Sequence, residues 1–162
     1  MTQLSIFDQS SARHTPVQWL VYIDGASRHN PGPAGAGIYI VKDKEPYVRK
    51  SFYLGTKTNN QAEYYALLLA LFFLEPLMHE DDELHIFSDS QLLVRQMSGQ
   101  YKVKDISLRS LFERARAFVK NKNCSLHHVM REYNKIADRL ANKGINDKEE
   151  PPAAFFTFCT NY

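Results

Sequence analysis

The sequence has little of what would place it outside ordinary folded domains. Its 162 residues include two cysteines, Cys124 and Cys159, too few for a disulfide framework and without the Cys-x-x-Cys spacing of a zinc site. The longest apolar run, Tyr64 to Leu74, is 11 residues, against the roughly 20 that a bilayer-spanning helix needs. The first residues are polar, with no basic-then-apolar leader. Neither a membrane span nor secretion is expected, and a reducing, cytoplasmic setting fits. No internal repeat or long low-complexity tract is present. Charge of one sign is also scarce, with 20 Lys plus Arg against 18 Asp plus Glu, so the balance neither demands nor forbids a nucleic-acid partner. What is present, 44% hydrophobic and 23% charged residues, is the composition of a single globular domain.

Hydrophobic patterning predicts three strands, Gln18–Ile23, Gly37–Val41 and Arg49–Tyr53, whose turn-rich connections at 24–35 and 42–46 suggest an antiparallel meander. Asn59 and Asn60 then open a helix in which Glu63, Leu67, Ala70, Leu71 and Leu74 share one face, ended by Pro76. An acidic loop over 80–83 leads to a strand at Leu84–Ser88 and a helix from Ser90 to Met97, ended by Gly99. A helix over Leu108–Lys120, a strand over Ser125–Met130 and a helix over Asn134–Lys143, capped by Asn134 and ended at Gly144, complete the order βββαβααβα. Helical crossovers between strands imply a mixed sheet with helices on both faces. Three regions are expected: an N-terminal tail over 1–15, a domain over 16–147, and a linker with an aromatic tail over 148–162.

Four acids fall at related places in this pattern. Asp24 and Asp89 follow the ends of apolar strands, where ligands gather in open α/β sheets. Glu63 and Asp138 occupy first turns of helices beside core-facing residues. Taken singly, each fits a turn, a cap or a solvated surface. Taken together, clustered carboxylates repel one another and require protons or cations among them. Hard divalent ions such as Mg²⁺ take oxygen ligands and keep water and phosphate in their shell, and two such ions promote in-line phosphoryl displacement.

The segments that hold these acids are Tyr22-Ile23-Asp24-Gly25-Ala26-Ser27, Asn30-Pro31-Gly32-Pro33, Thr58-Asn59-Asn60-Gln61-Ala62-Glu63, Ser88-Asp89-Ser90-Gln91 and Arg131-Glu132-Tyr133-Asn134-Lys135-Ile136-Ala137-Asp138. In this order and spacing, from about Val17 to Ile145, the chain resembles type 1 ribonuclease H. The resemblance implies a ribonuclease H-like α/β fold, with a five-stranded mixed sheet of order 3-2-1-4-5 and helices on both faces. It implies endonucleolytic cleavage of the RNA strand of an RNA–DNA hybrid, leaving 5′-phosphate and 3′-hydroxyl ends, with two Mg²⁺ ions or Mn²⁺ as substitute. Asp24, Glu63, Asp89 and Asp138 would be the catalytic metal ligands. Ser27, Asn30, Thr58, Asn59, Asn60, Gln91 and Arg131 would face the substrate, with turn-making and helix capping the structural alternatives for the polar residues. Gly32 and Gly35 read as turn residues.

Residues 100–107 leave no room for the basic helical protrusion of some family members, and the N-terminal hybrid-binding module of others is not expected. His128 sits in a strand-like context instead of the mobile loop that carries a histidine in other family members, and Arg131, in the Arg-Glu-x-Asn pattern of the subfamily lacking that loop, is by that resemblance the better candidate for the scissile phosphate. Gln3-Leu4-Ser5-Ile6-Phe7 resembles the peptide by which bacterial proteins engage the sliding clamp, with Gln3, Leu4, Ile6 and Phe7 as anchors. A monomer is expected, and the aromatic tail is expected to dock on the chain's own core. A 3′ to 5′ exonuclease is disfavoured because Asp24 is not followed by the Asp-x-Glu acid. The alternatives are a catalytically silent hybrid-binding module, which retention of all four acids opposes, and a reverse-transcriptase-derived domain, which Met1 and the separate tails oppose.

Overall fold

The structure, a computed structural model, describes residues 13–161. Gln3, Leu4, Ile6 and Phe7 lie outside them. β1 (Gln18–Ser27), β2 (Gly32–Lys42) and β3 (Glu45–Lys57) form the antiparallel meander, and α1 (Asn59–Leu74) crosses over to β4 (Glu83–Ser88). Then follow α2 (Gln91–Met97), α3 (Ile106–Val119), β5 (Asn123–His128), a 3₁₀ turn at Arg131–Tyr133, α4 (Lys135–Asp147) and α5 (Ala153–Thr160). The sheet order is β3-β2-β1-β4-β5, with β1–β4 and β4–β5 parallel.

The strands run longer than apolar patterning suggests. β1 does not stop at Ile23 but continues through Ser27, because Asp24, Gly25, Ala26 and Ser27 pair with β2. The β2–β3 connection shrinks to Asp43 and Lys44, both at positive φ, 46° and 71°, the backbone that a two-residue hairpin requires. β5 starts earlier and ends at His128, leaving Val129 and Met130 outside the strand. Gly35 lies inside β2, not in a turn, and its Cβ position would fall 2.2 Å from the Ala141 carbonyl oxygen. Gly144 does not end α4. The helix reaches Asp147, with Lys148 in the left-handed region as its cap, while Gly144 lets the helix meet the β3 backbone at Phe52.

α1 packs on one face of the sheet with α3 and α5 outside it, and α4 packs on β1, β2 and β3 from the other face. α1 has more than the expected stripe: Tyr64, Ala66, Leu68 and Leu69 are buried along with Glu63, Leu67, Ala70, Leu71 and Leu74. A helix apolar all round must be covered on its outer side. The C-terminal segment supplies part of that cover, placing Phe155 and Phe158 in the core, with ring centroids 5.7 and 5.6 Å from Phe72. Arg114 holds the helix, its Nε donating to the Phe158 carbonyl at 2.6 Å and its guanidinium lying 4.0 Å from the Phe158 ring.

The acidic 80–83 segment is also structural. The buried Asp82 carboxylate accepts from Val17 N at 2.8 Å, Trp19 Nε1 at 3.0 Å and His79 N at 3.0 Å, and pairs with His14 Nε2 at 2.7 Å. Burial alone would raise its pKa, but these donors outweigh burial and hold the carboxyl well below its ordinary range. The start of β1 is thereby fastened to the loop before β4.

Candidate active site

The parallel pairing of β1 with β4 ends at Ile23 and Ser88, so Asp24 and Asp89 emerge side by side where the two strands part. Glu63 reaches them because α1 lies directly on β1. A Cβ on Gly25 would come 2.1 Å from the Ala62 carbonyl carbon, so any larger residue would push the helix away. Gly25 N donates to Glu63 Oε2 at 3.1 Å, fixing the acid beside Asp24. Each of Asp24, Glu63 and Asp89 presents a carboxylate oxygen within 4.8 Å of the other two.

The fourth acid arrives by a route that the sequence pattern disguised. Asn134 makes no side-chain cap for α4. Its buried side chain instead donates from Nδ2 to the Ile23 carbonyl at 2.9 Å, tying the start of α4 to the residue before Asp24. Asp138, one turn on and exposed, brings its negative charge close enough to Asp24 to raise that carboxyl's pKa. No local signal marks this role, since the neighbours Tyr133 and Lys135 are both exposed.

Electrostatically the cluster is under strain. Burial first, then the charges of Asp89 and Asp138, push the Asp24 carboxyl from 3.8 up to about 8. Glu63 is raised by burial and by Asp24 and Asp89, against the lowering effect of the Gly25 N–H. Asp89 is raised by burial, with Arg131 opposing; Arg131 Nε lies 3.9 Å from Asp89 Oδ2, and its side chain is 94% exposed. One exposed cation cannot neutralise three converging carboxylates. Their all-oxygen donor set fits hard divalent cations such as Mg²⁺ or Mn²⁺.

The polar residues expected at the substrate fall into two groups. Ser27 N donates to Asn59 Oδ1 at 3.1 Å and Asn59 N to Asn30 Oδ1 at 3.0 Å, joining the β1–β2 turn to the start of α1. Ser27 Oγ turns inward, donating to the Lys57 carbonyl at 2.9 Å. Thr58 is the cap of α1, its hydroxyl accepting from Gln61 N at 3.1 Å while Gln61 Oε1 accepts from Thr58 N at 2.9 Å. Asn59 and Asn60 are exposed in the first helical turn. On the other side of the acids, Gln91 is the exposed first residue of α2. His128 is exposed at the end of β5, opposite Ser88.

Residues 22–144 match the family described as reverse transcriptase-like. Ribonuclease HI of Halobacterium salinarum is 41% identical over 128 residues, 78% of this chain and 63% of that protein. The solved structure of RNase H1 from the same archaeon is 38% identical, with a TM-score of 0.74 over 80% of this chain and 98% of that one. The chain belongs to the type 1 ribonuclease H family. A second ribonuclease H relative, LC11-RNase H1 solved in complex with an RNA/DNA hybrid, is 38% identical, with a TM-score of 0.74 over 80% of this chain and 97% of that one. The sheet order 3-2-1-4-5 expected from the ribonuclease H resemblance is the order observed. The chain spans less than two thirds of the curated H. salinarum relative.

Proposed function

We propose that the protein is an endoribonuclease that hydrolyses the RNA strand of RNA–DNA hybrids. The observation that carries this reading is the convergence of Asp24, Glu63 and Asp89 at the parting of two parallel strands, in a chain of the ribonuclease H family. Asp24 at the centre, with Glu63, Asp89 and Asp138 around it, would hold two Mg²⁺ ions, for which Mn²⁺ can substitute. When bound, the ions supply activation of a water nucleophile and stabilisation of the leaving oxygen, giving 5′-phosphate and 3′-hydroxyl ends. Arg131, exposed and positive beside Asp89, contacts the scissile phosphate.

Recognition follows the same geometry. Asn30, Asn59 and Asn60 on one side of the acids and Gln91 on the other form a polar floor for a minor groove. Ser27 supports that floor through its backbone N–H, and Thr58 shapes it by capping α1. Glu63 faces the ribose, so that the 2′-hydroxyl, which separates RNA from DNA, is read beside the reacting phosphate. A hydrogen-bonding floor of this kind reads backbone shape instead of base sequence.

The segment Gln3, Leu4, Ile6 and Phe7 binds a bacterial sliding clamp and raises local concentration on DNA. The protein acts as a monomer in the cytoplasm; no helix among the described residues is long and apolar enough to cross a membrane. The test is incubation with Mg²⁺ and labelled duplexes. Cutting of the hybrid's RNA strand, with DNA duplex left intact and double-stranded RNA a poor substrate, supports the reading. Equal cutting of all-DNA duplex sinks it.

A further inference from the structure

The face of the sheet on which α4 covers β1, β2 and β3 carries a second set of metal-ligating groups farther along, on β4 and β5. Register places Leu20, His85 and Ser125 in one row across the sheet, and Tyr22, Phe87 and His127 in the next. His85 Nδ1 lies 3.0 Å from His127 Nε2, and Ser125 Oγ lies 3.0 Å from the first and 2.9 Å from the second. Three donor atoms thus form a nearly equilateral triangle on a half-exposed surface. None of these residues belongs to the carboxylate site.

We propose that His85 Nδ1, His127 Nε2 and Ser125 Oγ bind a borderline transition-metal ion, of which Zn²⁺ is the representative, with water completing the shell. Two nitrogens bound to one tetrahedral Zn²⁺ at 2.0–2.1 Å are about 3.3 Å apart, so the two nitrogens, which face each other at 3.0 Å with ring centroids 5.3 Å apart, part slightly and both rings turn toward the ion as it binds. Glu83 Oε1 lies 2.6 Å from His85 Nε2. That carboxylate keeps the hydrogen on Nε2 and leaves the Nδ1 lone pair free for a metal, the carboxylate–histidine arrangement that orients metal-binding imidazoles. Stacking of His127 on Phe87, centroids 5.1 Å apart, fixes the second ring. Imidazole nitrogen favours Zn²⁺, Ni²⁺ and Cu²⁺ over Mg²⁺, so the two sites sort ions by chemistry. An ion here clamps the edge strand β5 to β4, the strand that leads to Asp89. The proposal is independent of the nuclease reading.

The experiment is a calorimetric titration of the full chain with ZnCl₂ in millimolar Mg²⁺, which occupies the carboxylates. We expect saturable binding with Kd on the order of 10 μM or tighter, weakened at least tenfold in His127→Gln and retained in Asp89→Asn. Imidazole ¹⁵N resonances of His85 and His127 in the unaltered protein shift together with Zn²⁺, a reading that needs no variant. His14→Gln controls for the other histidine near acids, Asp81 and Asp82, and leaves binding intact. Binding unchanged in His127→Gln, lost in Asp89→Asn or His14→Gln, or unaccompanied by movement of both imidazole signals overturns the proposal and leaves an ordinary histidine–histidine hydrogen bond.

Discussion

Asp24→Asn removes one negative charge from the buried cluster while keeping the shape of the side chain. With the Asp24 carboxyl at about 8 in the folded protein and 3.8 as the ordinary value, the ion-free fold holds a proton that the unfolded chain has released. Stability of the ion-free protein therefore falls as pH rises from about 4 to about 8. From 3.8 to pH 7 is about three pH units at about 1.4 kcal/mol each, a ceiling of roughly 4 kcal/mol. Glu63 and Asp89 share the repulsion and keep part of it in the variant. We expect a gain of about 1–2 kcal/mol at pH 7, or about 2–8 °C in Tm for a chain of this size. The assay is thermal unfolding by circular dichroism in EDTA at several pH values, repeated with Mg²⁺. The variant's advantage should shrink toward pH 4, widen toward pH 8, and be narrowed by Mg²⁺, which stabilises the unaltered protein more. A variant no more stable than the parent at pH 8 without ions, or an advantage flat across pH, refutes the assignment of strain to this cluster.

Phe155→Ala should lower stability by about 3–5 kcal/mol, the usual consequence of emptying a buried aromatic site, read as a fall in denaturation midpoint; an unchanged midpoint would mean that α5 does not cover α1. Asp82→Ala should cost about 3 kcal/mol or more, because several donors lose one buried acceptor. Since the Asp82 pKa is lowered in the fold, its contribution is present above about pH 4 and is lost as pH falls toward the folded-state value. The fluorescence of Trp19, whose indole donates to Asp82, should change in that variant at temperatures where the parent is intact. A labelled peptide of residues 1–11 should bind a bacterial sliding clamp at tens of micromolar, about the strength of a short anchor; no saturable binding removes the clamp proposal.

The strands, the mixed sheet and the three central acids were legible because their signals are local, while the strand order 3-2-1-4-5 came from the family resemblance. Apolar runs end at Asp24 and Asp89, and helical spacing places Glu63 on the same face as Leu67 and Leu74. Less legible was everything set by distant partners. Strand pairing carries β1 past the apolar run to Ser27, and no local pattern shows that Gly35 and Gly144 are places where α4 touches the sheet backbone. Asn134 has the position of a helix cap, but the partner that claims its side chain, the Ile23 carbonyl, is 111 residues away. The acidic 80–83 segment hid one buried acceptor among solvated neighbours, since the groups that fill it come from the other end of the fold. The helical C-terminal segment was foreshadowed by α1 itself, whose 11-residue apolar run exceeds what one sheet face can cover.

The most direct measurement compares the parent and Asp89→Asn on a hybrid whose RNA strand is labelled, in Mg²⁺, at equal concentration of folded protein. The prediction is internal cleavage of the RNA strand by the parent, yielding 5′-phosphate ends, with loss of cutting in a variant whose far-ultraviolet circular dichroism is unchanged. A folded Asp89→Asn protein that cuts at the parental rate, or a parent that binds the hybrid in Mg²⁺ and leaves it whole, contradicts metal-dependent catalysis by the clustered carboxylates.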